Sequence, residues 1–421
     1  MKKLQEFEKN SMILFVLLMV ANICNYLFQI AVGNLMEVED YGIVNTILGL
    51  IAILSIPTTM IALIHARYTA IFAAQKNEGG IAAAFHLMFR FVMGVSTVLL
   101  LTGIMGIQKV TDLFAMESAG YMIGVLVVTI MNLFFSITSG TLQGLKKFFP
   151  YGIQTVLSAV GKLILSVFFI CLGWHVYGVL AAICVGTAVA ILYGAIQMKE
   201  DLRNVLRYQG RNLVDTRELW KYVISAMLAQ GCVIAVTNGD VLLVKLYFTD
   251  EVTGVYASAS VIGKISMYVS TAIVAALFPM TVDENQRGKN TFPLLRKALL
   301  YGGTASFGSA LGMSLFGKYV IGILFGERYQ KAIIYLPYVC MFIVPLTLVT
   351  ILMSYALAIG TSKMFEISMA VGTGGIFGLS VLLHETVEQI MVLAGMILIG
   401  VFAVNMIWLI RIKNRQRYGK S

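Results

Sequence analysis

Four charged residues stand where the sequence around them is apolar: Lys162, Asp240, Lys245 and Lys264. Lys162 is the deepest, eleven residues from either end of the run 151–173. At about 1.5 Å per helical residue that is roughly 16 Å to each end, further than a lysine side chain can snorkel. Lys264 lies ten residues beyond Gly254, and Asp240 about two turns inside the C-terminal end of the run 220–247. Lys245, near that same end, is expected to reach water. An ionised group at such depth costs about 3 kcal/mol or more unless it is paired, hydrated or facing a counter-ion. Asp240 and Lys264 could pair and lock two helices together. One deep acid cannot satisfy two deep lysines, so one cation is left for a wet cavity or an anionic ligand, and Lys162 is the expected one.

Uncharged polar residues offer a second chemistry. Asn22, Asn25 and Gln29 are spaced by three and four, so a helix puts them on one face. With Asn238, beside Asp240, they could bond sugar hydroxyls, or equally bond helix to helix. Arg67 and Arg90 flank the segment between the second and third apolar runs, where they could collect an anionic headgroup or act on topology alone. Five cysteines without a CxxC spacing and four scattered histidines give no metal constellation. Pro57, Pro337 and Pro345, within apolar runs, and Pro279, at the end of one, free backbone carbonyls and permit bending.

The elements that must hold these residues follow from composition. Of 421 residues 59% are hydrophobic and 12% charged, with a mean hydropathy of +0.85. A water-soluble chain would need more charge to cover its surface. Twelve apolar runs are long enough to cross a bilayer as helices: 12–34, 42–64, 84–107, 120–142, 151–173, 176–198, 220–247, 255–280, 295–317, 331–357, 364–383 and 387–410. An even number puts both termini on one side. Twenty-four of the 31 Lys and Arg fall in the segments on that side and four on the other, which makes the terminal side cytoplasmic. The basic residues lie in short clusters between runs, so the net charge of +10 does not indicate nucleic acid. No segment between runs is long enough for a folded domain, which argues against an enzyme working from an external loop.

An internal echo divides the chain. Leu35–Gly42 after the first run resembles Tyr247–Gly254 after the seventh, with Gly42 and Gly254 212 positions apart. Val110–Phe114 resembles Val320–Phe325 at an offset of 211, about half the chain. The expected architecture is an all-α integral membrane protein of about 12 transmembrane helices in two six-helix lobes around a central cavity. The lobes are 1–198 and 219–421, the latter with a basic tail, joined by a cytoplasmic linker over 199–218.

Five short motifs, in order along the chain, resemble the polysaccharide-transport flippases of the multidrug/oligosaccharidyl-lipid/polysaccharide superfamily. They are Asp40-Tyr-Gly42, Leu142-Gln-Gly-Leu-Lys-Lys-Phe148, Asn238-Gly-Asp240, Gly254-Val-Tyr-Ala-Ser-Ala-Ser-Val-Ile-Gly-Lys264 and Leu324-Phe-Gly-Glu-Arg-Tyr329. The resemblance implies a flippase of the bacterial plasma membrane. It would move an undecaprenyl-pyrophosphate-linked oligosaccharide from the inner to the outer leaflet by alternating access, for cell-surface polysaccharide synthesis. Lys162 and Lys264 would then meet the pyrophosphate, with Arg67 and Arg90 at the cytoplasmic mouth. Asp240 would bind a coupling Na+ or H+, and no other cofactor is implied. The implied partners are the lipid-linked oligosaccharide, membrane lipids and other polysaccharide assembly proteins. The competing readings are a multidrug or metabolite antiporter of the same superfamily and a non-transporting subunit of an assembly complex. Deep lysines outnumber the deep acid, which favours an anionic cargo over a cationic one.

Overall fold

The computed structural model describes residues 2–199, 217–267, 289–361 and 363–418, with a few single positions between 277 and 287. Among these residues every regular element is a helix. Backbone groups in hydrocarbon have no water to bond, and a helix satisfies them within itself. The first half comprises α1 (Lys2–Leu35), α2 (Val38–Leu54), α3 (Ile56–Ala74), α4 (Glu78–Leu113), α5 (Ala119–Gly144), α6 (Phe148–Cys171) and α7 (His175–Met198). The second comprises α8 (Arg217–Tyr247), α9 (Asp250–Gly263), α10 (Phe292–Leu324), α11 (Ala332–Ala358), α12 (Lys363–Ser380) and α13 (Val387–Tyr418).

Polar caps start several of them. Asn77 accepts from the Gly80 amide at 2.8 Å at the head of α4, and Thr249 from the Val252 amide at 3.4 Å at the head of α9. Asp250 and Glu251 follow in the first turn of α9, where negative charge suits the helix dipole.

Among the described residues eight helices are long and apolar enough to span: α1 from Met12, α4, α5, α6, α7, α10, α11 and α13 up to Ile412. The pair α2 and α3, bent by 42° at Ser55 just before Pro57, passes the same test when taken together as one broken helix. Three of the twelve expected runs are not in this count of the described residues. The runs 220–247 and 364–383 are helical as α8 and α12, but α12 has only 18 residues, four of them glycine, and does not reach the same apolar standard. The run 255–280 is helical over α9, and its stretch 268–276 lies outside the described residues. So does most of the expected linker, together with Pro279.

The chain divides into two compact units between Val223 and Ile224, inside α8. In the first, α6 packs on α7 and α1, while α5 packs on α3, α7 and α4. In the second, α11 packs on α10, α13 and α9, and α12 on α13. Burial repeats between them. Within the apolar 18-residue stretch of each helix, the third spans, α4 and α10, are the least buried, the sixth, α7 and α13, more so, and the fourth, α5 and α11, the most. The second span of each unit is interrupted, at Ser55 in one and after Gly263 in the other. The half-chain offset in the sequence is thus matched by an architecture in which the fourth helix is the centre of its unit.

Candidate functional site

In the first unit the site is built around α6. Gly161 and Gly186 bring α6 and α7 into backbone contact: a Cβ on Gly186 would lie 2.9 Å from the Lys162 amide nitrogen and 3.2 Å from the Ser158 carbonyl oxygen. Only glycine permits that approach. With its backbone held against α7, Lys162 extends its side chain to α1, where its Nζ stands 4.4 Å from the centroid of the Phe28 ring. Phe28 is 1% exposed and packed in place, whereas Lys162 is half-buried. Among the described residues no carboxylate forms an ion pair with Lys162.

Gln29, next to Phe28, accepts from the Tyr41 hydroxyl at 3.4 Å. Asn22 and Asn25 are exposed on α1, two turns and one turn before Gln29 respectively. Arg67 on α3 and Arg90 on α4 are also exposed. Sequence reasoning missed His65, which is buried and bonds the Thr141 hydroxyl at 2.8 Å through Nε2, leaving Nδ1 without a partner among the described residues.

In the second unit Asp240 and Lys264 do pair, with Nζ to Oδ1 at 3.1 Å. Two more donors reach the same carboxylate: the Tyr256 hydroxyl at 3.1 Å and the Ser260 hydroxyl at 2.5 Å, both to Oδ2. Tyr256, Ser260 and Lys264 are spaced by four, so one face of α9 presents all three donors to one acid of α8. The sequence carries that spacing in its fourth motif, but the spacing alone does not say which helix the face meets. Asn238, beside Asp240, donates to the Ile234 carbonyl at 3.0 Å and so spends that bond within its own helix.

A cavity of about 10 Å³ adjoins Asp240, walled by Val236, Gly239, Leu243, Phe342, Phe377 and Met391 among others. That is room for about one water and far below the several hundred Å³ of a small-molecule pocket. The expectation for Lys245 fails. It is 4% exposed and bonded to the Asp250 carboxylate, because α9 folds back across the end of α8 and brings Asp250 over it.

A model of one family, described as polysaccharide biosynthesis protein, matches residues 7–283. The chain belongs to that family. The matched stretch runs from α1 past α9, so it takes in Phe28, Lys162, Asp240 and Lys264. No curated protein matches this family member by sequence.

Its fold is shared with solved multidrug transporters and a solved lipid flippase. An inward-facing multidrug resistance MATE family transporter of the MOP superfamily superposes with a TM-score of 0.71 at 14% identity, covering 94% of this chain and 96% of the other. The lipid II flippase MurJ, in an inward closed conformation, gives 0.65 at 10% identity, covering 94% and 87%. An outward-facing MATE family transporter gives 0.64 at 18% identity, covering 97% and 95%. These likenesses show the fold, and the family member is accordingly a multi-pass helical membrane protein.

Proposed function

We propose that this protein is a flippase for a lipid-linked oligosaccharide carrying a pyrophosphate, moved from the cytoplasmic to the outer leaflet of a bacterial plasma membrane with both termini cytoplasmic. The observation that supports this reading is the partnership of Lys162. A desolvated cation over an aromatic face gains about 2 kcal/mol. An ammonium at mid-membrane costs about 3 kcal/mol or more. The Phe28 ring therefore leaves a deficit that a phosphate oxygen would offset, since ammonium groups form short, charge-assisted bonds to phosphate.

The candidate pyrophosphate ligands are Lys162, in the first unit, and Lys264, in the second, where it is paired with Asp240. Arg67 and Arg90, both exposed, would collect the headgroup. Asn22 and Asn25, exposed on the helix that carries Phe28, would bond sugar hydroxyls, with Gln29 and Asn238 as weaker candidates because each already holds a bond. Asp240 would carry the coupling ion, Na+ or H+. The work is transport, with membrane lipids and polysaccharide assembly proteins as partners.

The test compares wild type with Lys162→Ala and Lys264→Ala for delivery of lipid-linked sugar, in reconstituted vesicles and in a flippase-deficient strain. Both variants should lose delivery. Normal delivery by both, together with cationic-dye efflux that depends on Asp240, would instead identify a multidrug antiporter.

A further inference from the structure

Asp240 and Lys264 are unequally buried: the aspartate side chain is 1% exposed and the lysine side chain 13%. A ligand can thus approach the cation while the anion stays enclosed. Lys264 also sits where α9 ends, its amide bonded to the Ser260 carbonyl at 2.9 Å and its own carbonyl accepting from Met267 at 3.1 Å. Its side chain therefore leaves the backbone at a turn between two helical stretches.

We propose that Lys264 is shared between two anions, so that cargo phosphate draws it away from Asp240 and Asp240 binds a proton in exchange. This rests on the anionic-cargo reading above. A buried carboxylate stripped of the cation paired with it is costly, and neutralisation by a proton is the usual outcome. The surroundings of Asp240 suit either state. Hydroxyls both donate and accept, so Ser260 and Tyr256 can give bonds to the carboxylate or take one from the acid. The Tyr256 hydroxyl already has a second neighbour in the Met391 sulfur at 2.9 Å.

A sodium ion is poorly served, because the adjoining cavity is about the size of one water and its walls are mostly apolar side chains. The groups facing Asp240 are Tyr256, Ser260 and Lys264 from α9, Met391 from α13, Phe342 from α11, and Ile376 with Phe377 from α12. Lys245, further along α8, is committed to Asp250, and Glu388 lies three residues before Met391. Cargo occupancy and proton occupancy of this unit are thereby tied through a single ammonium.

The test is calorimetric titration of the full-length protein in nanodiscs with farnesyl pyrophosphate, in two buffers of different ionisation enthalpy and in sodium or potassium chloride. Wild type should take up about one more proton per ligand bound than Asp240→Asn does. Asp240→Asn, having lost the competing anion, should bind the probe tighter by roughly 5-fold or more. Lys264→Gln should bind weakly and show no extra uptake, which guards against a misfolded Asp240 variant. Equal proton uptake in wild type and Asp240→Asn, or uptake replaced by a sodium requirement, overturns the exchange but leaves the anionic-cargo reading standing. Failure of wild type to bind the probe overturns both.

Discussion

Lys162 and Phe28 face each other across the contact between α6 and α1, the ammonium 4.4 Å from the ring centroid. The ring is enclosed and cannot move aside, so it fixes where the cation sits without neutralising it. That combination suits a group held ready for an anion that comes and goes. A carboxylate in the place of Phe28 would satisfy the lysine permanently.

Lys162→Met should therefore separate stability from function. It keeps the chain length, removes a charge that hydrocarbon penalises, and should raise resistance to unfolding by about 1 kcal/mol or more. Delivery of lipid-linked sugar should be lost in the same variant. Thermal unfolding in detergent beside the delivery assay gives both numbers. A variant that is destabilised and inactive together would mean that Lys162 is structural.

The Asp240–Lys264 pair predicts a non-additive cycle. Asp240→Asn or Lys264→Met alone leaves one member of the pair unmatched, and loss of one partner of a buried pair costs about 3–5 kcal/mol. The double variant should recover much of that. Denaturant unfolding of the two single variants and the double variant reads the coupling, and additive losses would mean that the pair contributes nothing.

Lys245 and Asp250 should behave asymmetrically, because the lysine side chain is 2% exposed and the aspartate 26%. Asp250→Ala strands a buried ammonium and should destabilise by about 2 kcal/mol or more, whereas Lys245→Met leaves a carboxylate that can turn to water and should cost less. Unfolding midpoints of the two variants, measured side by side, decide it.

The α6–α7 crossing offers a test of how Lys162 is placed. Gly186→Ala would put a methyl 2.9 Å from the Lys162 amide and 3.2 Å from the Gly161 carbonyl carbon, backbone atoms that cannot rotate away. A loss of about 1–3 kcal/mol and slower delivery are expected. Gly94→Ala, where nothing lies within 4 Å of the added carbon, should change neither. Melting temperatures and delivery rates of the pair provide the comparison.

Much of the architecture was legible because lipid imposes a single length scale and one allowed element on every span. Depth along an apolar run was enough to single out Lys162 and Asp240, since it depends only on counting residues. Partners were harder to read. That α9 would fold back over α8 and turn Tyr256, Ser260 and Lys264 onto Asp240 depends on tertiary packing that no local pattern encodes. The same fold-back buries Lys245, which position alone placed in water. Phe28 gave no signal, because an aromatic within an apolar helix is ordinary until a lysine is found above it. The run 364–383 is less apolar as a helix than as a stretch of sequence, because α12 begins on Lys363, carries Glu366 in its first turn and ends at Ser380, short of Val381, Leu382 and Leu383.

The sign of the charge at position 162 is the centre of the account, and it can be restored chemically. Replace Cys24, Cys171, Cys184, Cys232 and Cys340 with serine or alanine, introduce Lys162→Cys, and treat vesicles with a methanethiosulfonate reagent bearing an ammonium or with its neutral methyl analogue. The account predicts that Lys162→Cys fails to translocate lipid-linked oligosaccharide, that the ammonium adduct restores translocation and that the methyl adduct does not. Full transport by untreated Lys162→Cys, or equal rescue by both adducts, would contradict it.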